Sequence, residues 1–242
     1  MKKILITGAS GAIGGAAARA LAGSGASLFL HYHEAEAAVQ SLAAALSKNY
    51  PEQDFTCIQA DLSEADGPDM LLKQLNTPIN GVVYASGNSD INLFQDIKEE
   101  TIQKTIQLQL TSPFRILQQL VQPMIHEKTG KIVLVSSIWG LEGAATEVLY
   151  SMVKGGQNTF VKALAKEVAP SGITVNAVAP GAVDTPMMSK FSQEDIELVK
   201  EEIPMGRLAA PEEVGTLIQF LMSPSASYIN GQVISINGAW YC

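Results

Sequence analysis

Short apolar runs recur along this 242-residue chain, and each ends on a small or polar residue before a helix-forming stretch begins. Residues 3–7 (KILIT) lead into Gly8, residues 27–32 (SLFLHY) into His33, and residues 55–60 (FTCIQA) into Asp61. Residues 79–85 (INGVVYA) lead into Ser86-Gly87, residues 131–136 (KIVLVS) into Ser137, and residues 173–179 (ITVNAVA) into Pro180-Gly181, with a last run at 232–236. Runs of this length, alternating with helices over short connections, predict an α/β fold: a Rossmann-type doubly wound parallel sheet of seven strands, flanked by helices in three α/β/α layers. In such a sheet ligands sit beyond the carboxyl ends of the strands. Gly8, Asp61, Gly87, Ser137 and Gly181 would therefore converge on one crevice. No repeat, linker or low-complexity stretch marks a second domain, so residues 1–242 are expected to form one.

Composition narrows the class of partner. The chain is 47% hydrophobic and 17% charged, as globular proteins are. None of its apolar runs approaches the roughly 18 residues that a membrane span needs. A formal net charge of -8 argues against nucleic acid or an anionic membrane surface as partner. The Met1-Lys2-Lys3 start runs straight into a strand, which predicts no signal peptide and a cytoplasmic location. Cys57 reads as a buried apolar thiol and Cys242 as a free tail thiol, with no metal-ligand pattern near either, so no metal is expected.

Three stretches carry the chemistry. In the first, Gly8-Ala9-Ser10-Gly11-Ala12-Ile13-Gly14 between a strand and an alanine-rich helix is either a pyrophosphate cradle or a tight turn of small residues chosen for packing. In the second, an acidic residue ending the second strand would bind the ribose hydroxyls of NAD, but this chain has His31, Tyr32 and His33 before Glu34. That leans toward NADP(H), with NAD(H) the alternative and His31 or His33 the candidate phosphate contacts. In the third, Ser137 closes a strand, and Tyr150 and Lys154 lie one turn apart on a predicted helix of residues 147–168. A hydroxyl, a phenol and an ammonium so spaced suit proton transfer.

Other expectations are structural. Asp61 either caps the next helix or meets an adenine. A mostly helical stretch from 97 to 127 is expected to break at Pro113, with Pro123 near its end. The segment from 182 to 207 reads as a lid, and its Met187, Met188 and Phe191 are either an apolar pocket wall or core filler.

Taken together, Thr7-Gly8-xxx-Ala12-x-Gly14, Ser137, Tyr150-xxx-Lys154, Asp61, Asn176, Pro180-Gly181 and Thr185 resemble the short-chain dehydrogenase/reductase family along the whole chain. The resemblance implies reduction of a ketone to a secondary alcohol with NADPH. Tyr150 would be the proton donor, Ser137 a hydrogen-bond donor to the same oxygen, and Lys154 would hold the nicotinamide ribose and lower the tyrosine pKa. Gln109 stands where the family has a relay asparagine. Cofactor contacts would fall on Gly8, Ser10, Gly11, Ala12, Ile13, Gly14, His31, Tyr32, His33, Asp61 and Leu62. Further contacts would come from Ala85, Ser86, Gly87, Tyr150, Lys154, Pro180, Gly181, Val183 and Thr185. The family's Asn-Asn-Ala-Gly after the fourth strand is here Tyr84-Ala85-Ser86-Gly87.

Residues 172–181 and 204–208 are similar to those of the 3-oxoacyl-[acyl-carrier-protein] reductases, although Ser171 replaces a basic residue associated with carrier docking. Residues 136–140, 147–152 and the ending Trp240-Tyr241-Cys242 look closer to the elongation factor P 5-aminopentanone reductases, the favoured reading. The resemblance also implies a homotetramer or homodimer. A non-catalytic dinucleotide sensor is the alternative of another class, and it would not need Ser137, Tyr150 and Lys154 together. Trp139, Glu142 and Glu147 lie where specificity is expected.

Overall fold

The computed structural model describes residues 2–186, 188 and 191–241, so Met187 of the expected lid and the tail thiol of Cys242 lie outside the described residues. Its strands are β1 (Lys3–Thr7), β2 (Ser27–Tyr32), β3 (Phe55–Gln59), β4 (Gly81–Tyr84), β5 (Gly130–Val135), β6 (Ile173–Pro180) and β7 (Val233–Ile236). They form one sheet in the order β3-β2-β1-β4-β5-β6-β7, parallel at every pairing. β2, β4 and β6 are buried along their whole length. Helices cover both faces of such a sheet, so its strands are continuous apolar runs rather than alternating ones.

The helices are α1 (Ala12–Gly23), α2 (Glu36–Asn49), α3 (Gly67–Leu72), α4 (Glu99–Ile106), α5 (Ser112–Glu127), α6 (Val148–Val168), α7 (Gln193–Glu202) and α8 (Pro211–Met222). Two apolar cores result, one on each side of the sheet. One holds Ile4, Ile6, Leu28, Leu30, Val133 and Val178 against Leu21 of α1 and Ile218 of α8. The other holds Leu5, Val82, Ile132 and Val175 against Leu117 of α5 and Val161 of α6. No helix of the described residues is long and apolar enough to cross a membrane.

The long helical stretch breaks in a different place from the one expected. Between α4 and α5 lies a π-helical turn, Gln107–Thr111, and Pro113 falls in the first turn of α5. There its missing N–H costs nothing. The break thus comes before the proline, where the backbone widens around Gln109.

β6 carries a polar residue at its centre. Asn176 is fully buried, donates to the Ile229 carbonyl (2.8 Å) and accepts from the Gln232 N–H (3.0 Å). Asn230 returns the gesture, accepting from Val175 N–H (2.8 Å). These bonds lock the entry to β7 onto β6, so Asn176 is a structural pin for the edge of the sheet.

Candidate active site

The order of strands reverses between β1 and β4, and the crevice opens there. Thr7 joins its two walls: its Oγ1 accepts from the N–H groups of Ala85 (3.1 Å) and Ser86 (3.2 Å). Those two amides are therefore committed to the protein, and the Ser86 hydroxyl beside them is buried without a hydrogen-bond partner.

Gly8 turns the chain with φ +67, and a methyl on Gly14 would lie 2.2 Å from the Gly8 carbonyl oxygen. The turn can close only on glycine at both positions. It delivers Gly11 as the N-cap of α1, without a capping side chain and without an acidic residue in the first turn. Gly11 is exposed, with Ser10, Ala12 and Ile13 half-buried beside it. A helix start left bare in this way suits an anion, and the residues fit a dinucleotide pyrophosphate.

His31 serves this loop from below. It is 2% exposed, its Nδ1 accepts from the Gly8 N–H (3.1 Å), and its Nε2 lies 3.0 Å from the Ala60 carbonyl. Only the neutral tautomer with hydrogen on Nε2 satisfies both contacts, and burial accordingly lowers its pKa to about 4. The expected contact between His31 and a phosphate is thus corrected, since both nitrogens are engaged inside the fold. Tyr32 also turns into the core. Of the two histidines expected to read the ribose phosphate, His33 alone is exposed, and its Nε2 stands 3.4 Å from Asp61 Oδ2.

Of the two neighbours of this edge, Asp61 takes the non-capping alternative and Leu62 departs from the expected cofactor contact. Asp61 does not cap α3: its Oδ1 accepts from the N–H (2.9 Å) and hydroxyl (2.6 Å) of Ser63. Those bonds hold its pKa below the ordinary carboxylate value, against the opposing effect of burial. The Leu62 side chain is in the core, and its carbonyl accepts from the Ser112 hydroxyl (2.7 Å).

The folded state keeps His31 neutral while the unfolded chain protonates it at its ordinary value. The unfolded state therefore binds more protons between pH 6.5 and about 4, and this contribution to stability is lost as pH falls through that window. His31→Leu would strand a buried N–H and a carbonyl, for an expected loss of about 2–4 kcal/mol and a flatter stability profile in the same window. Urea denaturation from pH 4 to 7 measures both. An unchanged midpoint and slope would show that the ring does not support the loop.

The residues expected to react come from the end of β5 and from α6. Ser137 is 7% exposed and follows β5, and its Oγ accepts from the Trp139 N–H (3.2 Å). Asn158 fixes the spacing of strand and helix: its Oδ1 accepts from the Ser136 hydroxyl (2.6 Å) and its Nδ2 donates to the Gly140 carbonyl (2.9 Å). Tyr150 hydrogen-bonds Ser137. Burial is the largest influence on the phenol and raises its pKa well above the ordinary value; the bond to Ser137 opposes this and the Glu147 charge adds to it. The depression by Lys154 expected from the sequence is therefore not seen. The raised value favours the protonated phenol, which the expected role as donor requires.

Lys154 is 3% exposed, with Nζ 5.4 Å from the Tyr150 ring centroid. Its ammonium donates to the Val135 carbonyl (2.8 Å) and to Gln157 Oε1 (3.2 Å), and burial lowers its pKa to about 7. A third donor is left over. Gln109 is fully buried in the π-turn; its Nε2 donates to the Asn88 carbonyl (2.9 Å) and its Oε1 has no partner. A methyl placed on exposed Gly87 would lie 3.1 Å from that Oε1 and 3.5 Å from Lys154 Nζ, so the three share one corner of the crevice.

The far rim comes from the end of β6. Gly181 N–H donates to the Ile236 carbonyl (3.0 Å), and Val183 is buried and pairs with Ala209. Thr185 is half-buried, with its carbonyl taken by Met188 N–H (2.9 Å). In the expected lid beyond it α7 is the α-helix among the described residues, and Arg207 anchors its return through two bonds to Glu213 (2.7 and 2.8 Å).

At the mouth, Trp139 packs edge-on against Trp240 (5.4 Å between centroids) and Tyr241 (5.6 Å). Glu142 is exposed, and Glu147 accepts from the Ser89 hydroxyl. Asn92 N–H donates to the Thr146 carbonyl (2.9 Å), which joins the loop after β4 to the loop before α6. Among the described residues no cluster of three or more His, Cys, Asp or Glu could hold a metal ion.

Asn158 and Gln157 escaped the sequence reading. Their signal was present: two adjacent amides on the same helix as Lys154, on a face otherwise lined by Val153, Val161 and Ala165.

The family model described as enoyl-(acyl carrier protein) reductase matches residues 8–239. Among relatives, the Bacillus subtilis protein named uncharacterized oxidoreductase YmfI is 49% identical, with 100% of this chain and 99% of its own covered. The 3-oxoacyl-[acyl-carrier-protein] reductase FabG of Aquifex aeolicus is 33% identical over 99% of this chain and 97% of its own. Among solved structures, 3-oxoacyl-[acyl-carrier protein] reductase from Brucella melitensis superposes with TM-score 0.92 at 27% identity, over 100% of this chain and 91% of that one. YwfH, an NADPH-dependent reductase of bacilysin biosynthesis, has the same fold, with TM-score 0.92 at 23% identity over 99% and 98%.

Proposed function

The chain belongs to the short-chain dehydrogenase/reductase family of oxidoreductases, and from that membership we propose that it is an NADPH-dependent ketone reductase built on a single domain of residues 1–242. Bound NADPH supplies the hydride that reduces the carbonyl carbon to a secondary alcohol. The observation that carries the reading is the half-buried phenol of Tyr150 hydrogen-bonded to Ser137, with the buried Lys154 ammonium beside it. Ser137 and Tyr150 bind the ketone oxygen together, and Tyr150 gives that oxygen its proton as negative charge develops. The fixed amides and bare helix start of the Gly8–Gly14 turn orient the dinucleotide, while exposed His33 supplies a contact for its 2′-phosphate.

For the substrate we favour a ketone carried by a modified lysine of elongation factor P, the 5-aminopentanone group. Two segments that separately resemble the reductases of that group, residues 136–140 and the Trp240-Tyr241 ending, meet at the mouth through the Trp139–Trp240 contact. The absence of a basic residue at Ser171 supports the same branch over 3-oxoacyl-[acyl-carrier-protein] reduction. Assembly as a homotetramer or homodimer is in keeping with the exposed Phe114 of α5 and the exposed Tyr228 in the turn between α8 and β7.

A side-by-side assay of NADPH consumption with an acetoacetyl thioester and with ketone-modified elongation factor P tests the choice. Faster turnover of the modified factor is expected. Activity confined to the thioester would move the assignment to fatty-acid synthesis.

A further inference from the structure

The Lys154 ammonium bonds to the Val135 carbonyl and to Gln157, not to the widened helix directly. The link is made by Gln157, one turn further along α6, which is 1% exposed and has both ends of its amide engaged. Its Oε1 accepts from Lys154 Nζ (3.2 Å) and its Nε2 donates to the Gln109 main-chain carbonyl (2.7 Å). That carbonyl lies within the π-turn, where the regular helical bonding is interrupted. The Gln109 side chain is not part of this link: its Nε2 donates to the Asn88 carbonyl and its Oε1 has no hydrogen-bond partner.

We propose that Gln157 is a positioning residue of the proton-transfer machinery, its amide bridging the Lys154 ammonium to the Gln109 carbonyl and so fixing both the place and the charge of the lysine beside Tyr150. The proposal rests on the reductase reading of this site.

Three features of the bridge support it. An amide offers an acceptor at one end and a donor at the other, and only that polarity joins an ammonium to a carbonyl. Both ends are buried, so loss of the bridge would leave a charge and a carbonyl without partners, and such groups are costly. The surroundings of the ammonium are otherwise neutral. β5 presents the Val135 carbonyl, the turn after β5 presents Gly140, the loop after β4 presents Gly87, the π-turn presents Gln109, and α6 itself presents Tyr150 as the neighbouring titratable group. No charged side chain contributes to the lysine's ionisation, which burial governs. With no carboxylate to hold the charge, the hydrogen bond that Gln157 Oε1 accepts from Lys154 has a large share in keeping the lysine cationic.

The test uses Gln157→Leu, which has similar bulk and no acceptor, and Gln157→Glu, which puts a carboxylate against the ammonium. Two quantities are measured. The first is the ionisation of Lys154 in protein without dinucleotide, followed by the lysine 13Cε resonance assigned with Lys154→Met. The second is kcat and KM for ketone reduction from pH 6 to 9. In Gln157→Leu, Lys154 is expected to titrate about one pH unit lower, the tenfold change that a hydrogen bond to a charged group is worth, and the alkaline limb of kcat should fall with it. In Gln157→Glu both should move upward. KM for the ketone should change less than twofold in either variant, because a fully buried amide does not touch substrate.

If Gln157→Leu does not fold, Gln157→Glu decides alone: an upward move supports the bridge and an unmoved lysine overturns it. A uniform loss of kcat with Lys154 titrating as in the wild type would make Gln157 a packing residue and overturn the proposal. Wild-type protein that reduces no ketone would instead count against the reductase reading, while the lysine titration would still report on the bridge.

Discussion

Tyr150→Phe is expected to lower kcat for NADPH-dependent ketone reduction by about 10²–10⁴-fold, the contribution typical of a positioned general acid. The ring remains and fills the same space. What is removed is the hydroxyl that bonds Ser137 and carries the transferable proton. Stability should change by only about 1 kcal/mol, since one hydrogen bond is lost and its partner, Ser137, also accepts from Trp139 N–H. NADPH affinity should stay within severalfold, because the dinucleotide is held mainly by the Gly8–Gly14 turn. Steady-state kinetics and fluorescence titration of NADPH separate the two effects. Turnover unchanged in this variant would sink the assignment of the proton donor.

Lys154→Met is expected to abolish turnover and at the same time to make the protein more stable. In the folded state burial lowers the lysine pKa to about 7, so a charge is kept inside at a cost. The folded-state value is depressed below the unfolded one, so the unfolded chain binds the extra proton between pH 7 and about 10. Wild-type stability should therefore rise with pH from 7 to about 9.5, until the raised phenol of Tyr150 begins to act in the opposite sense. Methionine is apolar and of similar length. The expected gain is on the order of 1–3 kcal/mol at pH 7, after allowing for the Val135 carbonyl and Gln157 left without a donor. Chemical denaturation at pH 7 and pH 9 checks this, the variant showing a flatter dependence than the wild type. A variant less stable than wild type at both pH values would mean that the ammonium is well compensated in the fold.

The strands were legible because a parallel sheet covered on both faces makes each strand a plain apolar run, and β2 was read to the residue. The same property hid the orientation of His31. When both faces of a strand are buried, sequence alternation does not say which way a polar ring points, and here it points beneath the glycine turn. The helix break was misplaced for a related reason. Proline was taken as the interruption, whereas Pro113 sits in a first turn that tolerates it and the widened backbone at Gln107–Thr111 bears no special residue. Ser137, Tyr150 and Lys154 were readable from local spacing on one strand end and one helix. The Gln157 bridge was not, because it exists only where α6 passes the π-turn, a meeting that the packing of two distant segments creates.

Transfer of deuterium from C4-deuterated NADPH to a ketone, followed by mass spectrometry of the product alcohol, tests the central claim most directly. With both ketone classes supplied, the wild-type protein should place one deuterium on the new carbinol carbon for each NADPH consumed, and Tyr150→Phe should place almost none in the same time. NADPH that binds tightly to the wild-type protein yet delivers deuterium to neither ketone would contradict the reductase and leave a dinucleotide sensor in its place.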